Sequence, residues 1–167
     1  MINEVFYAAR LGDSNRLKEL LSKEPELANT ENEDGLTPLG YAAHYGNAAA
    51  VKVLLEYGAE VNAISHSKID YIPSNTALHA AITGEREIEV IKELLMNKAN
   101  PNILDSNGHT SLHTAAFHDD NVELITLLLE HGADVDAKVE DGNDAVSLAK
   151  ERGYLRVAEL LENRSED

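Results

Sequence analysis

Thr110-Ser111-Leu112-His113-Thr114-Ala115-Ala116 is the third appearance of one string in this chain, after Thr37-Pro38-Leu39-Gly40-Tyr41-Ala42-Ala43 and Thr76-Ala77-Leu78-His79-Ala80-Ala81. The threonines stand 39 and 34 residues apart. A second string follows each copy: Gly58-Ala59-Glu60-Val61-Asn62-Ala63, Lys98-Ala99-Asn100-Pro101-Asn102-Ile103 and Gly132-Ala133-Asp134-Val135-Asp136-Ala137. Two motifs in phase at about 33 residues mark a stack of repeats, each too small to bury its apolar face without neighbours.

Each repeat reads as two short helices and a protruding turn. In the second, Thr37 is placed to cap a helix and Pro38 to occupy its first turn, where the missing N–H is no loss. Leu39, Ala42 and Ala43 then share one face at helical spacing. A second helix follows with Val51, Leu54 and Leu55. Its counterparts are Val90, Ile91, Leu94 and Leu95, and then Leu124, Ile125, Leu128 and Leu129. Gly58 and Gly132 end second helices where a left-handed residue is required, and Lys98 takes that place in the third repeat.

Taken together, the T-P-L-H and A-A strings, the D-x-x-G turns, the V-x-x-L-L helices and the G-A-D-V-N-A endings resemble the ankyrin repeat. The resemblance runs over nearly the whole chain. Ala8-Ala9-Arg10-Leu11-Gly12 with Leu17-Lys18-Glu19-Leu20-Leu21 fits a first repeat. Asp141-Gly142-Asn143-Asp144-Ala145 with Val157-Ala158-Glu159-Leu160-Leu161 fits a degenerate last one. The expectation is an all-α solenoid of five stacked helix-turn-helix repeats with β-turn or hairpin loops, forming a single domain over 1–167. The repeats run approximately over 1–31, 32–70, 71–104, 105–138 and 139–164. Both ends are expected to carry polar outer faces, through Arg16, Lys18 and Glu19 at one and Arg156, Glu159, Glu162 and Arg164 at the other, with nothing left over for a second domain.

Two irregularities break the period. The 39-residue interval places five extra residues in 64–74, where Ser74 replaces the turn glycine and Ile69, Tyr71 and Ile72 are unusually apolar for a loop. The third and fourth repeats also run one residue longer between Thr and the Leu-Leu pair than the second. The insertion is placed at Gly84–Glu87 and Asp119–Asn121.

Composition narrows the function classes. Thirty acidic residues against 14 basic ones give a net charge of −16. That charge repels phosphate backbones and argues against nucleic acid or an anionic membrane as partner. Between Ala99 and Ala137 there is no Lys or Arg. The absence of cysteine excludes disulfides, thiolate metal sites and a cysteine nucleophile. No leader pattern or long apolar run is present, so a cytoplasmic protein is expected, and the strong net charge with polar caps favours a monomer.

Catalytic motifs are absent. No glycine-rich phosphate loop or strand–turn–helix with a nucleophilic serine is found. His79 and His113 fill the histidine place of T-x-L-H, for which the resemblance implies a bracing role beside the turn. His109 precedes Thr110 in a turn, so its four-residue spacing from His113 does not place both on one helical face. The alternative to a non-catalytic module is a metal-binding protein or metal-dependent enzyme centred on His118, Asp119 and Asp120. No cofactor is expected.

The leading reading is a protein–protein interaction module that acts as an adaptor or inhibitor. The resemblance implies contacts through turn tips and the exposed ends of first helices. On the matching positions these are Glu33, Asp34 and Leu36; Ile72, Pro73 and Asn75; Ser106, Asn107 and His109; and Glu140, Asp141 and Asn143. The helix positions are Arg10 and Leu11, His44 and Tyr45, Thr83, Phe117 and His118, and Glu151 and Arg152. Tyr45, Tyr71, Ile72 and Phe117 stand out in a chain with only six Tyr and two Phe. Exposed aromatics are frequent anchors of protein interfaces. With acidic tips around them, they suggest a basic or amphipathic protein segment as partner.

Overall fold

The computed structural model of the chain describes residues 1–165. It contains ten α-helices among those residues: α1 (Ile2–Leu11), α2 (Ser14–Lys23), α3 (Pro38–His44), α4 (Ala48–Glu56), α5 (Ala77–Thr83), α6 (Ile88–Met96), α7 (Ser111–His118), α8 (Val122–Glu130), α9 (Ala145–Glu151) and α10 (Leu155–Ser165). They pair in chain order as five helix–turn–helix repeats. Their contacts form two compact units, residues 1–99 and 100–167.

In the first unit, α1 packs on α3 and α3 on α5, while α2 packs on α4 and α4 on α6. Like helices thus stack on like helices. Leu17, Leu21, Val51, Leu54, Val90, Ile91 and Leu94 are fully buried between the second helices, and Ala9, Ala42 and Ala81 between the first. Alanine at those points lets the short first helices approach closely. In the second unit α7 packs on α9 and α8 on α10, around Leu124, Ile125, Leu128, Val157 and Leu161.

The helix starts are capped as the sequence implies. Thr37 Oγ1 accepts from the Gly40 N–H at 3.0 Å. Thr76 with His79, and Thr110 with His113, form reciprocal capping boxes. Asp13, Asn121 and Asp144 cap α2, α8 and α9. The second helix begins eleven residues after Thr37, but twelve after Thr76 and Thr110, which places the insertions between α5 and α6 and between α7 and α8.

First-helix carboxyl ends expose carbonyls that have no partner within their own helix. For α1, α3 and α7 the following repeat supplies one. Asn47 Nδ2 donates to the Ala9 and Arg10 carbonyls at 3.1 and 2.5 Å, the Glu85 N–H to His44 O at 3.0 Å, and the Tyr154 hydroxyl to His118 O at 3.2 Å. The second-helix ends are also bridged. Asn29 holds the Gly58 carbonyl at 2.9 Å and the Glu60 N–H at 2.8 Å, and Asn102 holds the Gly132 carbonyl and the Asp134 N–H, both at 2.8 Å. Lys98 is left-handed at φ 70°, matching Gly58 and Gly132 at 93° and 90°.

The outer face of the first repeat departs from expectation. Lys18 and Glu19 are exposed on α2 and Arg16 bonds Glu4, yet α1 also exposes Tyr7 at 66% and Leu11 at 60%. That face is mixed rather than polar.

Candidate functional site

The enlarged loop 64–74 is held by backbone groups rather than by a glycine turn. Ser65 and Asn75 close its base, N–H to carbonyl at 2.9 Å and N–H to Oγ at 3.0 Å. The Ser67 N–H donates to Ser74 Oγ at 3.0 Å. Two further bonds lay the loop against the preceding tip, His66 N–H to Gly35 O and Lys68 N–H to Asp34 O, both 2.9 Å. The approach is close enough that a Cβ on Gly35 would stand 1.9 Å from the His66 carbonyl oxygen. Gly35 is also left-handed, at φ 77°, so glycine is required there twice over.

That clamp holds Tyr71-Ile72-Pro73 over the first helices of the second and third repeats. Beneath lies a part-open hollow of about 380 Å³, lined by Leu36, Thr37, Gly40, Tyr41, His44 and Tyr45, by Ser65 and Tyr71 to Asn75 apart from Ser74, and by Ala80 and Thr83. The lining is predominantly apolar. Of the expected contact positions, Leu36, His44, Tyr45, Tyr71, Ile72, Pro73, Asn75 and Thr83 meet here. Glu33 and Asp34 lie exposed on the adjoining tip. A small-molecule pocket is not foreseen by the repeat pattern, so this hollow is an addition to it.

The tyrosines are set by an aromatic ladder. Phe6 meets Tyr41 edge-on at 5.2 Å, and Tyr41 meets Tyr45 at 5.1 Å. The Arg10 guanidinium caps Tyr45 at 5.1 Å and His44 meets it edge-on. Burial, and then the neighbouring Tyr45 hydroxyl, push the Tyr41 phenol above its ordinary value. Gly40 and Tyr41, with Thr37, Ser65 and Ala80, line the hollow at positions that motif reading does not pick out as contacts. The available signal is Gly40 itself, standing where His79 and His113 stand in the next two repeats.

In the second unit, Phe117 is 44% exposed, with the Arg152 guanidinium 4.5 Å from its ring centroid and His118 edge-on at 5.5 Å. Ser106, Asn107, Glu140 and Asp141 are exposed at the turn tips. His109 is half-buried, and Asn143 bonds Asp141 through its N–H and its side-chain amide. Asp105 Oδ1 accepts from Asn107 and His109, which shapes that tip.

His79 and His113 are built into the scaffold. The Thr110 N–H donates to His113 Nδ1 at 3.0 Å, so Nδ1 carries no proton and Nε2–H donates to the Ala137 carbonyl at 2.8 Å. Burial lowers the His113 pKa, against a smaller opposite effect of the Ala137 bond. Asp120 caps α10, taking the Val157 N–H at 2.9 Å while Arg156 approaches its other oxygen at 3.4 Å. Among the described residues no three His, Cys, Asp or Glu side chains are grouped to hold a metal, and no helix is long and apolar enough to cross a membrane.

Comparison with known proteins bears on the whole chain. The family model for ankyrin repeats (3 copies) matches residues 5–103 and 78–167. The chain is 36% identical over 105 residues to ankyrin repeat protein FPV031 of Fowlpox virus (strain NVSL), covering 63% of this chain and 29% of that protein. It is 32% identical over 126 residues to ankyrin repeat and SAM domain-containing protein 6 of Rattus norvegicus, 75% of this chain and 14% of the relative. Inversin of Gallus gallus is 32% identical over 143 residues, 86% of this chain and 12% of its own length. The chain thus spans less than a third of the length of these relatives. Ankyrin repeats are generally protein–protein interaction modules and typically non-catalytic, and this chain belongs to the ankyrin repeat family.

Proposed function

We propose that this protein docks a basic or amphipathic segment of a partner protein, as an adaptor or an inhibitor, with its five repeats serving as one interaction domain. The observation that carries this reading is the tyrosine-lined hollow of the first unit and the charge around it. The segments around it, residues 31–36, 66–74 and 84–87, hold six carboxylates (Glu31, Glu33, Asp34, Asp70, Glu85, Glu87) against Lys68 and Arg86, with Arg10 over the Tyr45 ring as a third cation. Glu85 and Glu87 lie beside Gly46, next to Tyr45. Apolar floor and acidic rim together match a segment that alternates apolar and basic residues, the rim steering encounter and selecting sign.

On the second unit, Phe117, His118 and Arg152 with the tips at Ser106, Asn107, His109, Glu140, Asp141 and Asn143 are proposed to take further contacts. The test is retention of a bound protein at low and high ionic strength, compared with a Glu33→Lys/Asp34→Lys/Asp70→Lys variant. Salt-sensitive retention that the charge-reversed variant loses supports the reading. Retention indifferent to both overturns it.

A further inference from the structure

Two departures from the repeat, Gly40 and the enlarged loop, meet in the lining of the hollow. In the fourth repeat, the histidine three residues after the capping threonine fills the space beneath the next turn. His113 bonds Thr110 on one side and the Ala137 carbonyl, 24 residues on, on the other, and is 1% exposed. Position 40 holds glycine in the second repeat. Thr37 still caps the Gly40 N–H, but no ring crosses to Ala63, the counterpart of Ala137 just before the enlarged loop. The loop is instead closed on itself by Ser65 and Asn75, and its apolar tip lines the hollow together with Gly40.

From this we infer that Gly40 is the residue that opens a side-chain pocket, and that the pocket receives one bulky apolar residue of the partner, flanked on both sides by Lys or Arg. Three features specify that occupant. The volume, about 380 Å³, is that of a ligand pocket rather than a packing defect. The walls, Leu36, Tyr41, Tyr45, Tyr71 and Ile72, offer apolar and ring surface that rewards a large apolar group. Carboxylates on the bordering segments match basic neighbours but offer little to an acidic or neutral peptide. The inference rests on the basic-segment reading above and adds the pocket, its occupant and the residue that controls it.

Gly40→His gives a test that separates binding from folding. The substitution restores the reciprocal box seen at Thr76–His79 and Thr110–His113, and a Cβ at position 40 meets only Thr37 Oγ1, at 3.0 Å. The probes are labelled peptides Arg-Lys-X-Lys-Arg with X as Phe, Leu or Ala, titrated into the full chain at low salt. The Phe and Leu peptides are expected to bind at least about tenfold tighter than the Ala peptide. Gly40→His is expected to bring all three to the Ala level with no loss of melting temperature. Tyr71→Ala, at a side chain 86% exposed, gives the same loss of discrimination without depending on the first variant's folding. Equal binding of the three peptides by the wild type, or full discrimination by a folded Gly40→His, overturns the pocket while leaving the basic-segment reading in place. Failure of every peptide to bind overturns both.

Discussion

The side chain of Asn102 grips the turn at Gly132 from both directions, its Nδ2 donating to the Gly132 carbonyl and its Oδ1 accepting from Asp134 two residues on, each at 2.8 Å. One side chain thereby satisfies a donor and an acceptor where the chain leaves a second helix, and ties one repeat to the next. Asn29 does the same at Gly58 and Glu60 in the first unit.

Asn102→Ala removes both bonds and is expected to cost about 1–2 kcal/mol, since each is worth about 1 kcal/mol net and the site is exposed to water. Urea unfolding checks this. Asn102→Asp keeps the acceptor but loses the donor, and should fall between the two.

Lys98 gives a prediction of opposite sign. Its φ of 70° is one that a side chain disfavours and glycine does not. Lys98→Gly is expected to stabilise the chain by about 0.5–1 kcal/mol, read from the same denaturation curves. Destabilisation would show that the lysine side chain contributes more than its backbone strain costs.

His113 makes stability depend on pH. Its folded pKa lies below the ordinary 6.5, because burial, first, opposes the charged ring. The neighbouring His109 acts in the same sense, while the Ala137 bond, Asp144 and Asp105 oppose it. Below 6.5 the unfolded chain therefore binds a proton that the folded chain refuses. The contribution is fully present above 6.5 and is lost as pH falls through that value toward the lower folded pKa. His113→Gln should cost about 1–3 kcal/mol near pH 7.5, where a buried N–H loses its acceptor, and less near pH 5. Melting temperatures of both proteins across that range check it. A constant difference would contradict the assignment of the neutral ring.

Leu54 and Leu128 are fully buried in equivalent second helices of the two units. Truncation of either to Ala should cost about 2–5 kcal/mol, with the spread set by how far each site can collapse. Calorimetry of the two variants compares the units directly.

Features set by neighbours in the chain are readable from sequence. The threonine caps, the one-residue insertions before α6 and α8, and the left-handed Lys98 each follow from a few adjacent residues. The shape of 64–74 does not. It depends on backbone bonds to Asp34 and Gly35, some thirty residues earlier, and on a Ser65–Asn75 closure with no motif of its own. Tyr41 was invisible for a related reason. Its place in the repeat is helical and internal, and it meets the hollow beside Gly40, under a loop whose shape the repeat pattern does not set. Phe117 illustrates the reverse case. Its exposed helix end is legible, but the guanidinium of Arg152 over its ring comes from a repeat 35 residues later.

The most direct measurement is a map of backbone amide shifts as unlabelled Arg-Lys-Phe-Lys-Arg is titrated into isotope-labelled protein at low salt. Saturable shifts are expected at Leu36, Tyr41, Tyr45 and 71–75, fading as salt is raised. Shifts scattered over acidic residues outside the lining, such as Glu89, Glu130 and Asp134, with those amides unmoved, would overturn the proposed docking site.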